Sequence, residues 1–128
     1  MDHSKKYKIL VINPGSTSTA VAVYQGDKEI FLETIRHSTE KLKEFKVLFE
    51  QYKFREQLIL NLLKRKEMSI QEFDAIVARG GVLSPLQSGT YKINQIMLNE
   101  LRENPRREHA SNLGAKIAYE IAQKIKVF

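Results

Sequence analysis

Cysteine and tryptophan are absent from this chain, and histidine, methionine and proline each occur only three times. Without cysteine there is no disulfide framework and no thiolate chemistry, a usage that suits a cytosolic protein. Aspartate is equally scarce: Asp2, Asp27 and Asp74 are the whole set, and none stands at a catalytic spacing from another acid. A two-carboxylate hydrolase, or a Mg²⁺ site built wholly from these residues, is therefore disfavoured. The three histidines (His3, His37 and His109) fall in no H-E-x-x-H pattern, so zinc has no support either. The longest strongly apolar stretches, "ILVI" and "AVAVY", are far short of the roughly 20 residues that cross a bilayer. Residues 1–8 are short and polar, without the apolar centre of a signal peptide. No membrane partner is expected. Neither G-x-x-x-x-G-K-[ST] nor G-x-G-x-x-G occurs, which removes the P-loop and dinucleotide-binding fingerprints.

What is present describes a globular unit. A chain of 128 residues with 42% hydrophobic and 28% charged content is long enough for one domain or one lobe with a real core. The net charge of +6 admits a polyanionic partner. However, Lys41, Lys43, Lys46, Lys53, Lys64 and Lys66 are interleaved with glutamates, as on a solvated helix face, and "LKRKE" at 63–67 is a sparse basic run. Nucleic-acid binding is the least favoured reading, and no nucleic-acid partner is expected.

Periodicity gives the elements. "YKILVIN" at 7–13 reads as a buried strand ending in an Asn-Pro-Gly turn. "AVAVYQGDKEIFLETI" reads as a β-hairpin about Gly26-Asp27. Ser38 or Thr39 can cap a helix. Leu42, Phe45, Leu48, Phe49 and Tyr52, followed by Leu58, Ile59, Leu62 and Leu63, then predict one long helix over 39–67 or two joined near 52–55. A short strand at Ala75–Ala78 ends at Arg79-Gly80-Gly81. A loop over 83–93 follows, with room for a short β-pair. "NQIMLNELREN" reads as a helix stopped by Pro105. Leu113, Ile117, Ile121 and Ile125 mark an amphipathic helix starting near His109, and "KVF" at the end resembles the start of another strand. No linker or repeat divides residues 1–128, so they read as one α/β unit.

Three polar clusters sit at strand ends or helix starts. Asn13, Gly15, Ser16, Thr17, Ser18 and Thr19 follow the first strand, where a tight turn with hydroxyls either cradles a phosphate or satisfies its own backbone. Arg79 before Gly80 and Gly81 offers a planar fork for a carboxylate or phosphate; the alternative is a surface arginine at a turn. His109, Ser111 and Asn112 open a helix, where free N–H groups favour an anion but a plain cap is as simple. Strand-end loops are where α/β folds gather ligands.

Taken together, "INPGSTST", "HS" at 37–38, "FR" at 54–55, "ARGG", "GTY" and "EHASNLGAKIA" resemble the butyrate kinases of the acetate kinase group, within the sugar kinase/Hsp70/actin (ASKHA) superfamily. The resemblance runs over most of residues 7–125 in the family's order. It implies a ribonuclease H-like lobe: a mixed sheet with antiparallel first three strands and flanking helices, incomplete at the C-terminus, as the N-terminal lobe of a two-lobe acyl kinase. It also implies reversible phosphoryl transfer from ATP, with Mg²⁺, to butanoate, giving butanoyl phosphate and ADP. By the same resemblance, Asn13, Gly15, Ser16, Thr17 and Ser18 form the phosphate loop. Arg79, Gly80, Gly81 and Asn112 face the carboxylate or acyl phosphate, and His109 bonds the transferring phosphoryl with Arg79 as its catalytic companion. A full-length protein is expected to be a cytoplasmic homo-oligomer.

Two departures qualify this. Ala20 stands where the family loop continues with lysine. Family members are also much longer, so the adenosine site, catalytic aspartate and Mg²⁺-binding acid are expected outside this chain, with little kinase activity from it alone. A branched-chain or other short-chain carboxylate kinase, and a degenerate anion-binding lobe without catalysis, are the alternatives.

Overall fold

The structure, a computed structural model, describes residues 6–79, 89–103 and 109–125. The aliphatic run before the Asn-Pro-Gly turn forms β1 (Lys8–Pro14), an inner strand of a four-stranded sheet. β2 (Ser18–Gln25) pairs antiparallel with β1, and β3 (Lys28–Arg36) pairs antiparallel with β2. β4 (Ala75–Ala78), with the bounds expected, runs parallel to β1 on its other side, so the order is β3-β2-β1-β4. The hairpin turns at Gly26-Asp27 with Gln25 opposite Lys28. Gly26 takes φ +63 there, a left-handed conformation that glycine adopts without a Cβ clash.

Side-chain alternation gives the sheet two unlike faces. The rung Phe31–Val23–Leu10–Ile76 and the neighbouring Val21–Ile12–Ala78 point toward the helices. Leu10, Ile12, Val21 and Val23 are wholly buried there against Ile59, Leu62, Leu63, Leu113, Ile117 and Ile121. The opposite rung, Leu32–Ala22–Val11–Val77, lies on the other face, where Leu32 and Val77 are exposed. A clamp at the sheet's end fixes the parallel register: Lys8 N–H donates to the Asp74 carboxylate at 2.8 Å, and Asp74 N–H returns a bond to Lys8 O at 2.8 Å.

The helical segment departs from expectation. α1 (Thr39–Leu42) is capped by Ser38, whose Oγ accepts from Lys41 N–H at 3.2 Å, but it lasts a single turn. The chain then leaves the helix through a turn at 43–44, makes a 3₁₀ turn over Leu48–Gln51 and enters α2 (Tyr52–Arg65). The break thus precedes Tyr52 rather than falling within 52–55. Tertiary packing outweighs periodicity here: Phe45 folds back onto Phe54 with ring centroids 5.8 Å apart, and the Lys41 ammonium lies over the Phe54 ring at 5.3 Å. α3 (Gln95–Glu103) and the amphipathic α4 (Asn112–Ile125) match their expected positions. Leu98 and Leu101 of α3 pack with Ala115 of α4 as a satellite of the main core. Residues 89–93 carry no strand. The expected turn at Gly80-Gly81, the Pro105 stop and the terminal "KVF" strand lie outside the described residues. Among the described residues, no helix is long and apolar enough to cross a membrane.

α2 ends in a Schellman motif: Glu67 N–H donates to Lys64 O at 3.0 Å and Met68 N–H to Leu63 O at 2.9 Å. The residue at the left-handed position is Glu67, with φ 58, where a Cβ is unfavourable. Glu67→Gly relieves that strain and is expected to stabilise the fold by about 1 kcal/mol. A higher urea midpoint at unchanged slope is the readout; a lower midpoint contradicts it.

Candidate phosphoryl-binding site

The turn joining β1 to β2 is organised by a residue from another element. Arg55, in the first turn of α2, is wholly buried. Its Nη1 donates to Gly15 O at 2.6 Å, Ser18 O at 2.8 Å and Thr19 Oγ1 at 3.3 Å, and its Nη2 donates to Ser16 O at 3.2 Å. Gln51 Oε1 accepts from Nε at 3.1 Å and from Nη2 at 2.8 Å. Among the described residues no carboxylate pairs with this guanidinium. Burial lowers its pKa from the ordinary arginine range to about 10, which leaves it charged at neutral pH.

His37 completes the underside of the turn. Its backbone N–H donates to Thr17 O at 2.9 Å, and its Nε2 shares a 2.8 Å hydrogen bond with Thr19 Oγ1. Its ring packs on Phe54 at 5.4 Å, and Nδ1 is buried without a partner among the described residues. Above this layer Ser16 and Thr17 are exposed and Ser18 half-buried. Asn13 is exposed beside them, opposite Ala20 in the β1–β2 register.

Arg79 and the start of α4 lie at the same end of the sheet as this turn. Arg79 N–H extends the β4 ladder by donating to Ile12 O at 3.1 Å, which sets the exposed Arg79 next to the Asn13 strand end. α4 arrives through a glycine: a Cβ on Gly114 would lie 3.1 Å from Arg79 O and 3.3 Å from both Ala78 Cβ and Pro14 Cδ. Only a residue without a side chain lets the helix start approach both strand ends this closely.

Just before α4, Ser111 N–H donates to His109 Nδ1 at 3.1 Å, and Ser111 Oγ lies 2.7 Å from the same nitrogen. A backbone N–H can only donate, so Nδ1 is the acceptor and the neutral ring carries its proton on Nε2. His109 is exposed, which leaves that Nε2–H available as a donor. Asn112 is buried. With His109 it borders a cavity of about 250 Å³ whose apolar wall includes Val47, Leu48, Phe49 and Leu101. Gly80 and Gly81 lie outside the described residues. No cluster of three His, Cys, Asp or Glu side chains suited to a metal is found among the described residues.

Arg55, Gln51 and His37 were not assigned roles from the sequence, although "HS" and "FR" carried part of the resemblance. One signal was available: Tyr52, Arg55, Ile59 and Leu62 share one helical stripe, so a charge sits on the face that packs inward.

The chain is 51% identical over 122 residues to butyrate kinase 2 of Clostridium acetobutylicum, covering 95% of this chain and 34% of that protein. Butyrate kinase 1 of the same organism is 47% identical over 121 residues, and a probable butyrate kinase of Listeria monocytogenes is 43% identical over 121 residues, each across 94% of this chain and 34% of the relative. No family model matches the chain. The resemblance read from the motifs is thus borne out along nearly the whole chain, and so is the mixed α/β lobe it implied. The chain spans about a third of the length of the curated relatives it matches.

Burial, and secondarily the nearby Arg55 charge, push the His37 pKa from 6.5 down to about 4. The unfolded chain takes up a proton near pH 6.5 that the folded chain refuses until about pH 4. Stability therefore falls as the pH drops through that window and is insensitive to this group above it. His37→Gln, which keeps a hydrogen-bonding partner for Thr19, is expected to flatten that part of the decline. Urea midpoints at pH 7 and pH 5 provide the check, and an identical decline in both proteins would contradict it.

Proposed function

We propose that this chain forms the phosphoryl- and substrate-binding side of a short-chain carboxylate kinase, the whole protein catalysing butanoate + ATP ⇌ butanoyl phosphate + ADP. The observation that supports the reading is that the start of α4, which follows His109, packs through Gly114 onto Arg79 O and Pro14, at the sheet end that carries the exposed turn at Ser16 and Thr17. A transferring phosphoryl spreads its charge over three oxygens and is stabilised by donors already in position, with no covalent step required of the protein.

In this reading Asn13, Gly15, Ser16, Thr17 and Ser18 cradle the phosphoryl, and His109 donates to one of its oxygens. Arg79 grips the carboxylate or acyl phosphate, with Gly80, Gly81 and Asn112 lining its place. The names of the relatives favour butanoate over a branched-chain acid. ATP is the phosphoryl donor. Mg²⁺ would accompany it, although the described residues offer it no cluster of acids. A cytoplasmic homo-oligomer is the setting we assign to the whole protein. The alternative of a non-catalytic anion-binding lobe rests on Ala20, which puts a methyl group directly across from Asn13.

Titration of the chain with butanoyl phosphate, followed by ³¹P NMR, tests the reading. Saturable broadening is expected, with affinity reduced about tenfold or more in each of Arg79→Ala and His109→Ala. Binding unchanged in both variants, or no binding by the parent chain, would overturn the site. In a hydroxamate assay the chain alone is expected to give no turnover above background.

A further inference from the structure

We infer that Arg55 is the positioning residue of the phosphate turn, aiming its backbone donors outward by holding its carbonyls inward. The inference rests on the reading of the turn as a phosphoryl cradle and adds a part that reading does not contain. A trans peptide points its C=O and the following N–H in opposite directions. The carbonyls of Gly15 and Ser16 both accept from the Arg55 guanidinium, at 2.6 and 3.2 Å. The N–H groups of Ser16 and Thr17 must then project away from it, toward the exposed side of the turn. Neither N–H has an acceptor among the described residues, whereas Gly15 N–H is occupied by Ser18 O at 2.7 Å. The turn therefore presents two adjacent unfilled donors to solvent, which is the arrangement that receives an anion.

Arg55 suits this role because its planar fork reaches several acceptors at once, which a lysine ammonium cannot match geometrically. It is itself held in place: Gln51, one turn earlier, takes two of its hydrogens, and its burial leaves it no alternative orientation in solvent. Among the described residues all its partners are neutral acceptors. A carboxylate in their place would draw the guanidinium off the carbonyls and cancel the positive charge lying directly behind the donors. Arg55 touches no substrate in this scheme and acts entirely through the turn.

The test combines ¹⁵N–¹H spectra of the chain with inorganic phosphate as probe. In the parent chain the Ser16 and Thr17 amides are expected to be as rigid as the sheet in ¹⁵N relaxation. The Arg55 guanidinium resonances are expected to exchange slowly with water and to shift as phosphate is added. In Arg55→Ala, checked for folding by cooperative urea unfolding, the two amides broaden and phosphate binds about tenfold more weakly or worse. Added guanidinium restores both properties, and urea, similar in shape but uncharged, restores them less. Arg55→Lys keeps the charge without the fork and is expected to leave the turn mobile. Unchanged Ser16 and Thr17 signals in either folded variant would overturn the inference. So would mobile amides in the parent chain, a readout that holds even if neither variant folds. If the parent chain binds no phosphate while its turn loses order in Arg55→Ala and regains it with guanidinium, Arg55 keeps its positioning role and the cradle reading fails instead.

Discussion

A buried charge with no counter-charge among the described residues is the constraint around which this fold is arranged. Taking a guanidinium out of water is costly, and a single misplaced acceptor would leave donors unsatisfied in a low-dielectric interior. Arg55 avoids that outcome only because three turn carbonyls, the Thr19 hydroxyl and the Gln51 amide converge on it. The requirement acts in both directions. α2 must dock in one register to deliver the guanidinium, and the β1–β2 turn must take one conformation to receive it. His37, kept neutral by the same burial, seals the remaining side.

The sheet supplies the second half of the geometry. Because β4 is parallel to β1, both strands end at the same edge, which sets Arg79 beside the end of β1. α4 then closes on those ends through Gly114, while its Ile117 and Ile121 complete the core below. Packing and site are thus two aspects of one arrangement. The residues that bury area and those that face solvent alternate along the same strands and helices.

The architecture was largely legible in the sequence because period-two and near-four spacing dominate it. The strand at Ala75–Ala78, the Gly26-Asp27 hairpin and the α4 stripe all appear where their patterns put them. The segment after Ser38 departs from its pattern because Leu42, Phe45, Leu48, Phe49 and Tyr52 keep helical spacing across a break between α1 and the 3₁₀ turn. Its apolar residues meet α2 from outside instead of sharing an axis with it, and aromatic stacking between Phe45 and Phe54 is a contact that periodicity cannot reveal. For the site, the polar residues after β1 and before α4 were visible as clusters, since exposed hydroxyls and a helix-start histidine stand out from aliphatic surroundings. Their support was not. An arginine within a charged helix looks like surface until its stripe is followed inward through Tyr52, Ile59 and Leu62.

The pairing of β4 with β1 carries a consequence for the order of assembly. The clamp between Lys8 and Asp74 joins residues 66 positions apart, and Arg55 reaches Gly15 across 40. The hairpin of β2 and β3, by contrast, closes over a two-residue turn. Contacts that enclose long loops form slowly, since chain entropy must be surrendered before they return anything. The hairpin is therefore suited to form early, while the end of the sheet that gathers Asn13, Arg79 and α4 closes among the last events. A nascent chain would acquire a stable meander well before the proposed anion site is assembled, so anion capture at that site, where it is found, would report on completed folding rather than on collapse.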